Sequence, residues 1–294
     1  MSRIQQILSK AERDGTVRRT HSTPLEPVPN PEPAPDRQHR VRYDTPASVG
    51  HVPYVGTVTP VVEPRVVEAG TLSPLLVAAI DPHGAVAEQY RALRTRLALV
   101  EQGHARRVLL VTSPGKGDGK SITCANLALT MAQEFSRNVA VIDADLRQST
   151  LHRLFGLPQG PGLAEVLAGE AALDDVLVLL PDYGLTVLPA GGTPAQPTEL
   201  LGSAAMRRVL DALRSRFDRV LVDSPPALPL ADVGVLSALT DGMLVVVRAG
   251  ITPKPHIERA LSFCDSTRLA GLVLNDTGAS DVRYAQYSAQ RAGA

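Results

Sequence analysis

VLLVTSPGKGDGKSITCANLAL, residues 108–129, changes character at its middle. The apolar, β-branched run Val108 to Val111 predicts a strand, and Ile122, Ala125, Leu129 and Ala132 recur at helical spacing. Between them lies a loop of Gly, Lys and Ser. Gly115, Gly117 and Gly119 carry no Cβ, so the loop N–H groups can turn inward as an anion-binding nest, and the following helix adds its positive N-terminal end. A strand, loop and helix of this composition hold phosphate. Lys120 is placed to reach the β/γ oxygens and Ser121 to ligate Mg²⁺, as in a Walker A loop, with Lys116, Asp118 and Ile122 completing the nucleotide-binding stretch.

Pro114 stands where the pattern G-x-x-x-x-G-K-[ST] has its first Gly, and the adjacent Gly115 can make the turn. Lys116 adds a second lysine, as K-G-D-G-K. The loop is in this respect similar to the K-G-G-x-G-K loops of ATPases that partition chromosomes or position septa, whose signature lysine lies one residue further from the catalytic one.

At 294 residues the chain can hold one large α/β domain and a tail. Thirty basic and thirty acidic residues leave no net charge, so nothing global favours nucleic acid. Cys124 and Cys264 form neither a disulfide framework nor a zinc pattern, which suits core packing in a reducing cytoplasm. No apolar run approaches the length of a membrane span, and MSRIQQILSKAERDG is too charged for a signal peptide. A cytoplasmic chain is expected, meeting membrane only through a partner.

In chain order, residues 1–15 predict a short amphipathic helix with Ile4, Ile7, Leu8 and Ala11 on one face. Residues 16–80, including PLEPVPNPEPAPD, predict a disordered Pro-rich linker. Residues 81–279 are expected to form the P-loop domain. A helix over Gly84 to Gln102 carries Glu88, Arg91 and Arg94 close to one face. NVAVIDADLR, residues 138–147, reads as a buried strand delivering Asp143 and Asp145 to its C-terminal end, where ligands bind in open parallel sheets. Short helices and turns follow, then a strand at Leu185 to Leu188 and a helix from about Thr198 to Phe217. RVLVDSPP then ends a strand on Asp223, the hydrophobic-strand-plus-Asp form of Walker B, in which Asp orders Mg²⁺. Two more strands are expected at Gly242 to Arg248 and Leu269 to Asn275; Asn275 can read an adenine edge with its amide or make a turn. The polar tail, residues 280–294, carries Tyr284 and Tyr287.

SPGKGDGKS, VIDADLR and VLVDSPP, in this order and spacing, resemble the bacterial tyrosine autokinases of capsule and exopolysaccharide export. The resemblance runs from about Gly84 to the C-terminus. It implies an α/β fold: a doubly wound, mostly parallel sheet of the P-loop NTPase type, as in MinD and ParA, with helices on both faces and here a disordered N-terminal arm. It implies transfer of the γ-phosphoryl of Mg·ATP to C-terminal tyrosines of a neighbouring copy. Lys120, Asp143 and Asp145 would be catalytic, either aspartate taking the tyrosine proton; Ser121, Asp143 and Asp223 would hold Mg²⁺. Tyr284 and Tyr287 would be the acceptors, and Glu88, Arg91 and Arg94 would form ring contacts in a homo-oligomer. The chain departs from that family in its short tyrosine cluster and in Lys116, where Pro is common. The membrane-anchored activator, a polysaccharide co-polymerase, would be a separate chain that brings this one to the inner membrane. Two other readings use the same loop: an ATPase switch of the MinD or ParA kind with no tyrosine acceptor, and an inactive nucleotide-binding regulator.

Overall fold

A computed structural model describes residues 65–66, 70–101, 106–134, 137–262, 265 and 267–278. The expected N-terminal helix, most of the linker, Cys264 and the segment with Tyr284 and Tyr287 lie outside the described residues.

Strand β1 (Arg65–Val66) is followed by helices α1 (Val77–Ile80) and α2 (Ala85–Val100), the loop-flanking strand β2 (Val108–Thr112) and helix α3 (Lys120–Ala132). Next come β3 (Val139–Asp143), the short helices α4 (Leu151–Leu154), α5 (Leu163–Ala168) and α6 (Leu173–Val176), and strands β4 (Val178–Leu180) and β5 (Leu185–Leu188). The chain closes with α7 (Pro197–Leu201), α8 (Ala204–Arg216), β6 (Arg219–Asp223), α9 (Asp232–Leu239), β7 (Gly242–Arg248), α10 (Lys254–Ser262) and β8 (Leu269–Asn275).

Among the described residues the strands make one sheet, ordered β1-β4-β5-β3-β6-β2-β7-β8. Every pairing is parallel except β4 with β5. A parallel sheet needs cover on both faces, and the strands accordingly read as continuous apolar runs. Alternation then divides them. Leu110, Ile142, Val222 and Val245 face α5, α8 and α9, packing with Leu163, Leu210, Leu213 and Leu236. Leu109, Val111, Val141, Leu221 and Val246 face the other way, onto Leu127 and Leu129 of α3, Leu97 of α2 and Phe155. Cys124 belongs to this second core, with no exposed surface, and burial pushes its thiol well above the usual range.

Three sequence expectations need correction. The linker was expected to run to residue 80, but residues 70–80 pack onto the domain: Leu76 is fully buried, and Asn126 of α3 accepts from the Ala78 N–H at 2.9 Å and donates to the Leu75 carbonyl. Pro74 and the brevity of α1 hid a docked segment. The helix expected from Thr198 to Phe217 is two, because the chain breaks at Gly202 and Ser203 caps α8 by accepting from the Met206 N–H at 3.2 Å. Finally, β3 ends at Asp143, so strand geometry does not carry on to Asp145.

Candidate active site

In a parallel sheet the C-terminal ends of the strands open on one edge, and here β2, β3 and β6 deliver Ser113, Asp143 and Asp223 there. The loop from β2 to α3 is held from within. Its Ser113 hydroxyl donates to the Gly115 carbonyl at 2.7 Å, and the Gly115 N–H donates to Asp118 at 2.8 Å. It is also held from the side. The Thr252 hydroxyl donates to Asp118 at 2.8 Å, and the Asn275 amide donates to the Asp118 carbonyl at 3.0 Å. The buried Asp118 carboxylate is thus a brace for the loop, which leaves its backbone as its means of touching a nucleotide. Asn275 sits beside the loop in the same way.

Lys120 opens α3. Its Nζ lies 3.0 Å from Asp145 Oδ2, 3.0 Å from the Ser121 hydroxyl and 3.7 Å from Asp223 Oδ1. Burial alone would lower its pKa, but Asp223, Asp145 and Asp143 outweigh it and hold the ammonium above its ordinary value. The lysine therefore stays charged. Asp223 has no exposed surface, and neither of its carboxylate oxygens has a hydrogen bond of full geometry among the described residues. Burial raises its pKa to about 7, against the opposing pulls of Lys120 and of the nearby Ser121 hydroxyl.

Asp143 was expected to share the site with Asp145, as base and as Mg²⁺ ligand. Its oxygens accept from backbone donors: the N–H of Asp145 at 3.2 Å, of Thr150 at 2.9 Å and of Leu151 at 3.0 Å. It shapes the loop that follows β3, and burial raises its pKa to about 6 even so. Asp145, beyond the end of the strand, lines the cavity: its Oδ1 accepts from the Gln148 N–H at 3.0 Å and its Oδ2 faces Lys120.

Over the loop lies a cavity of about 460 Å³, lined by Lys116, Lys120, Ser121, Ile122 and Asp145. Its lining also includes Arg147, Gln148, Thr150 and a run the sequence reading passed over, Pro226 with Leu228, Pro229 and Leu230. The signal for that run was the apolar text between Asp223 and Asp232. Lys116 is exposed at the rim.

The donor set fits a hard cation. Mg²⁺ keeps several waters and uses one or two carboxylates with substrate phosphates, so an orphaned buried carboxylate beside a hydroxyl is a suitable half-shell. Among the described residues no cluster of three or more His, Cys, Asp or Glu side chains could cage a metal by itself. Ser121 and Asp223 are the groups that would hold the ion against ATP.

Glu88, Arg91 and Arg94 lie on α2, away from the cavity lining. Glu88 pairs with Arg91 at 2.6 Å, and Arg94 donates to the Thr130 carbonyl at 2.7 Å, near the C-terminal end of α3. At the other end of α2, Glu101 and Arg219 form a nearly buried ion pair. No helix among the described residues is long and apolar enough to cross a membrane.

No family model matches the chain. It is 34% identical over 203 residues to the tyrosine-protein kinase YwqD of Bacillus subtilis strain 168, covering 68% of this chain and 85% of that protein. The chain belongs to the bacterial tyrosine-protein kinases. Some of its fellow kinases are much longer: it is 34% identical over 199 residues to the tyrosine-protein kinase ptk of Acinetobacter johnsonii but spans only 27% of it. The kinase domain of the Escherichia coli tyrosine kinase ETK superimposes with a TM-score of 0.65 at 31% identity, over 68% of this kinase and 79% of that chain. The cell division ATPase MinD of Pyrococcus furiosus has the same fold, with a TM-score of 0.50 at 27% identity over 60% of this kinase and 74% of that chain.

Proposed function

We propose that this kinase transfers the γ-phosphoryl of ATP to tyrosines 284 and 287 of a neighbouring copy, in a homo-oligomer brought to the inner membrane by a membrane-anchored activator of polysaccharide export. The carrying observation is the meeting of Lys120, Asp145 and the orphaned Asp223 at the mouth of a glycine-lined phosphate loop.

The loop N–H groups and the Lys120 ammonium draw charge from the β/γ oxygens as it shifts onto the leaving oxygen. Mg²⁺, held by Ser121 and Asp223, supplies further charge neutralisation on those oxygens when bound. Asp145 faces the cavity and takes the proton of the attacking tyrosine hydroxyl, while the bond from the γ-phosphorus to the β–γ bridging oxygen breaks and ADP leaves. Asp143 keeps the Asp145 loop in place through its three backbone bonds.

A second reading, an ATPase switch, draws on Lys116, which reaches the cavity from the loop as a second cation. Mass spectrometry of full-length protein incubated with Mg·ATP and the activator's cytoplasmic segment separates the two. Phosphotyrosine at 284 or 287 is expected, and the double Tyr→Phe variant should lose most of it while binding ATP unchanged. ATP loss without phosphotyrosine would replace the kinase reading with the switch.

A further inference from the structure

The cavity is lined by two unlike sets of residues. Lys116, Lys120 and Asp145 bring charge to its lining, whereas Pro226, Leu228, Pro229 and Leu230 bring a continuous apolar stretch, a wall. Phosphate recognition does not call for such a wall, since oxyanions are met by N–H groups and cations and lose solvation against apolar surface.

The wall is fixed to the phosphate loop. The Ala227 N–H donates to the Ser113 carbonyl at 2.7 Å and the Leu228 N–H to the Pro114 carbonyl at 3.2 Å, so wall and loop move as one piece. Its far end is fixed as well. The buried Asp232 opens α9 and accepts from Arg147 Nε at 3.0 Å, while Arg147 Nη2 donates to the Thr198 hydroxyl at 2.9 Å. Arg147 lines the same cavity two residues beyond Asp145. One guanidinium thus ties the Asp145 loop to α7 and to the helix that follows the wall.

The position of the wall points to its occupant. It continues from β6, and Asp145 and Asp223 at the ends of β3 and β6 mark where the last phosphate of the nucleotide meets its acceptor. The opposite flank of the phosphate loop, toward β7 and β8, is taken by Thr252 and Asn275. Continuing from β6 beside the phosphate loop, the wall lies on the transfer side of the cavity. The segment 279–294, with Tyr284 and Tyr287, follows β8, whose C-terminal end opens on the same edge of the sheet as the cavity.

We propose that the Pro226–Leu230 wall is the acceptor subsite, seating the ring of a tyrosine from a second copy of this chain, with Arg147 as the positioning residue that holds the wall at ring distance from Asp145. The inference rests on the kinase reading above and names the surface that selects a phenol. A serine or threonine would bring its hydroxyl to Asp145 without a ring to cover the wall, and the wall would stay wet.

The experiment uses two full-length copies, incubated with Mg·ATP and the activator's cytoplasmic segment. An acceptor copy carries Lys120→Met and keeps its tyrosines; a kinase copy carries Tyr284→Phe and Tyr287→Phe, with the wall intact or with Leu228→Ala and Leu230→Ala. Phosphotyrosine on the acceptor is followed against acceptor concentration, and nucleotide affinity of the kinase copy is titrated with a fluorescent ATP analogue. The wall variant should raise the acceptor KM about tenfold or more, the loss expected for one ring contact, with nucleotide Kd unmoved. Arg147→Gln should do the same, and Leu228→Met, which keeps the apolar surface, should restore the wild-type KM. Retained nucleotide binding shows that the variants are folded. An unchanged acceptor KM overturns the subsite, as does a nucleotide Kd that rises in step, which would give the wall to the nucleotide. If the intact kinase copy yields no phosphotyrosine at all, the kinase reading fails and the subsite falls with it.

Discussion

Replacing Asp223 by Asn separates what this side chain does for the fold from what it does for the site. Asp223 is fully buried with Lys120 Nζ 3.7 Å from its Oδ1, and burial displaces its pKa from 3.8 to about 7 in spite of that ammonium. The folded protein thus holds this proton to higher pH than the unfolded chain does. The stability that follows is fully present below about pH 4 and is lost as the pH rises through about 7. At roughly 1.4 kcal/mol per unit, the ionised carboxylate opposes folding by up to about 4 kcal/mol near pH 8. An Asn amide is neutral but leaves its own buried donors unsatisfied, at about 1–3 kcal/mol. The net gain is about 1–3 kcal/mol, or roughly 2–12 °C in Tm for a domain of this size. Thermal unfolding without nucleotide or Mg²⁺ should find Asp223→Asn the more stable protein near pH 8, with the advantage gone near pH 4.5. Adding Mg·ATP should reverse the order, because ligand binding to the folded state stabilises the wild type more than the variant. A variant that melts below the wild type near pH 8, with no ligand present, refutes the reasoning.

Lys120→Met removes the ammonium aimed at the transferring group, so phosphoryl transfer should fall about 10²–10³-fold, with circular dichroism unchanged; wild-type phosphotyrosine would remove Lys120 from the mechanism. Replacing Glu88, Arg91 and Arg94 together by Ala should convert an oligomer to monomer in light scattering if α2 forms the contact between copies. It should also lower Tm slightly, because Arg94 holds the Thr130 carbonyl within its own chain. Identical masses would leave α2 with that internal role alone.

The phosphate loop was legible in the sequence because its chemistry dictates its composition: glycines where the backbone must approach an anion, then Lys and Ser on the first turn of a helix. Asp223 was legible for a similar reason, as a carboxylate closing an apolar run. The different surroundings of Asp143 and Asp145 were not. They depend on where β3 stops, and that is set across the sheet, where Asp143 pairs with Asp223 and the Ala144 N–H donates to the Asp223 carbonyl at 2.8 Å. Spacing along one strand carries no trace of its neighbour's register. Pro226 to Leu230 drew no reading from the sequence, and it is the bonds of Ala227 and Leu228 to Ser113 and Pro114 that set this run beside the phosphate loop. Arg94, expected as a ring contact, also donates to a carbonyl of α3 within its own chain, which helical spacing alone could not show. Residues 70–80 carried too little periodicity to announce that Leu76 would be buried against the α3 side of the sheet.

Gly119 meets two independent restrictions. Its φ of +95° suits glycine, and a Cβ there would lie 2.0 Å from the Asn275 amide nitrogen. These restrictions differ in how a lineage could escape them. Shortening Asn275 makes room but leaves the backbone strained, so no change at 275 frees 119. Losing the Asn275 amide while Gly119 stays removes its hydrogen bond to the Asp118 carbonyl and leaves the loop backbone unstrained. Drift at this pair therefore runs one way: 275 can wander first, while 119 stays fixed for as long as the loop keeps its shape.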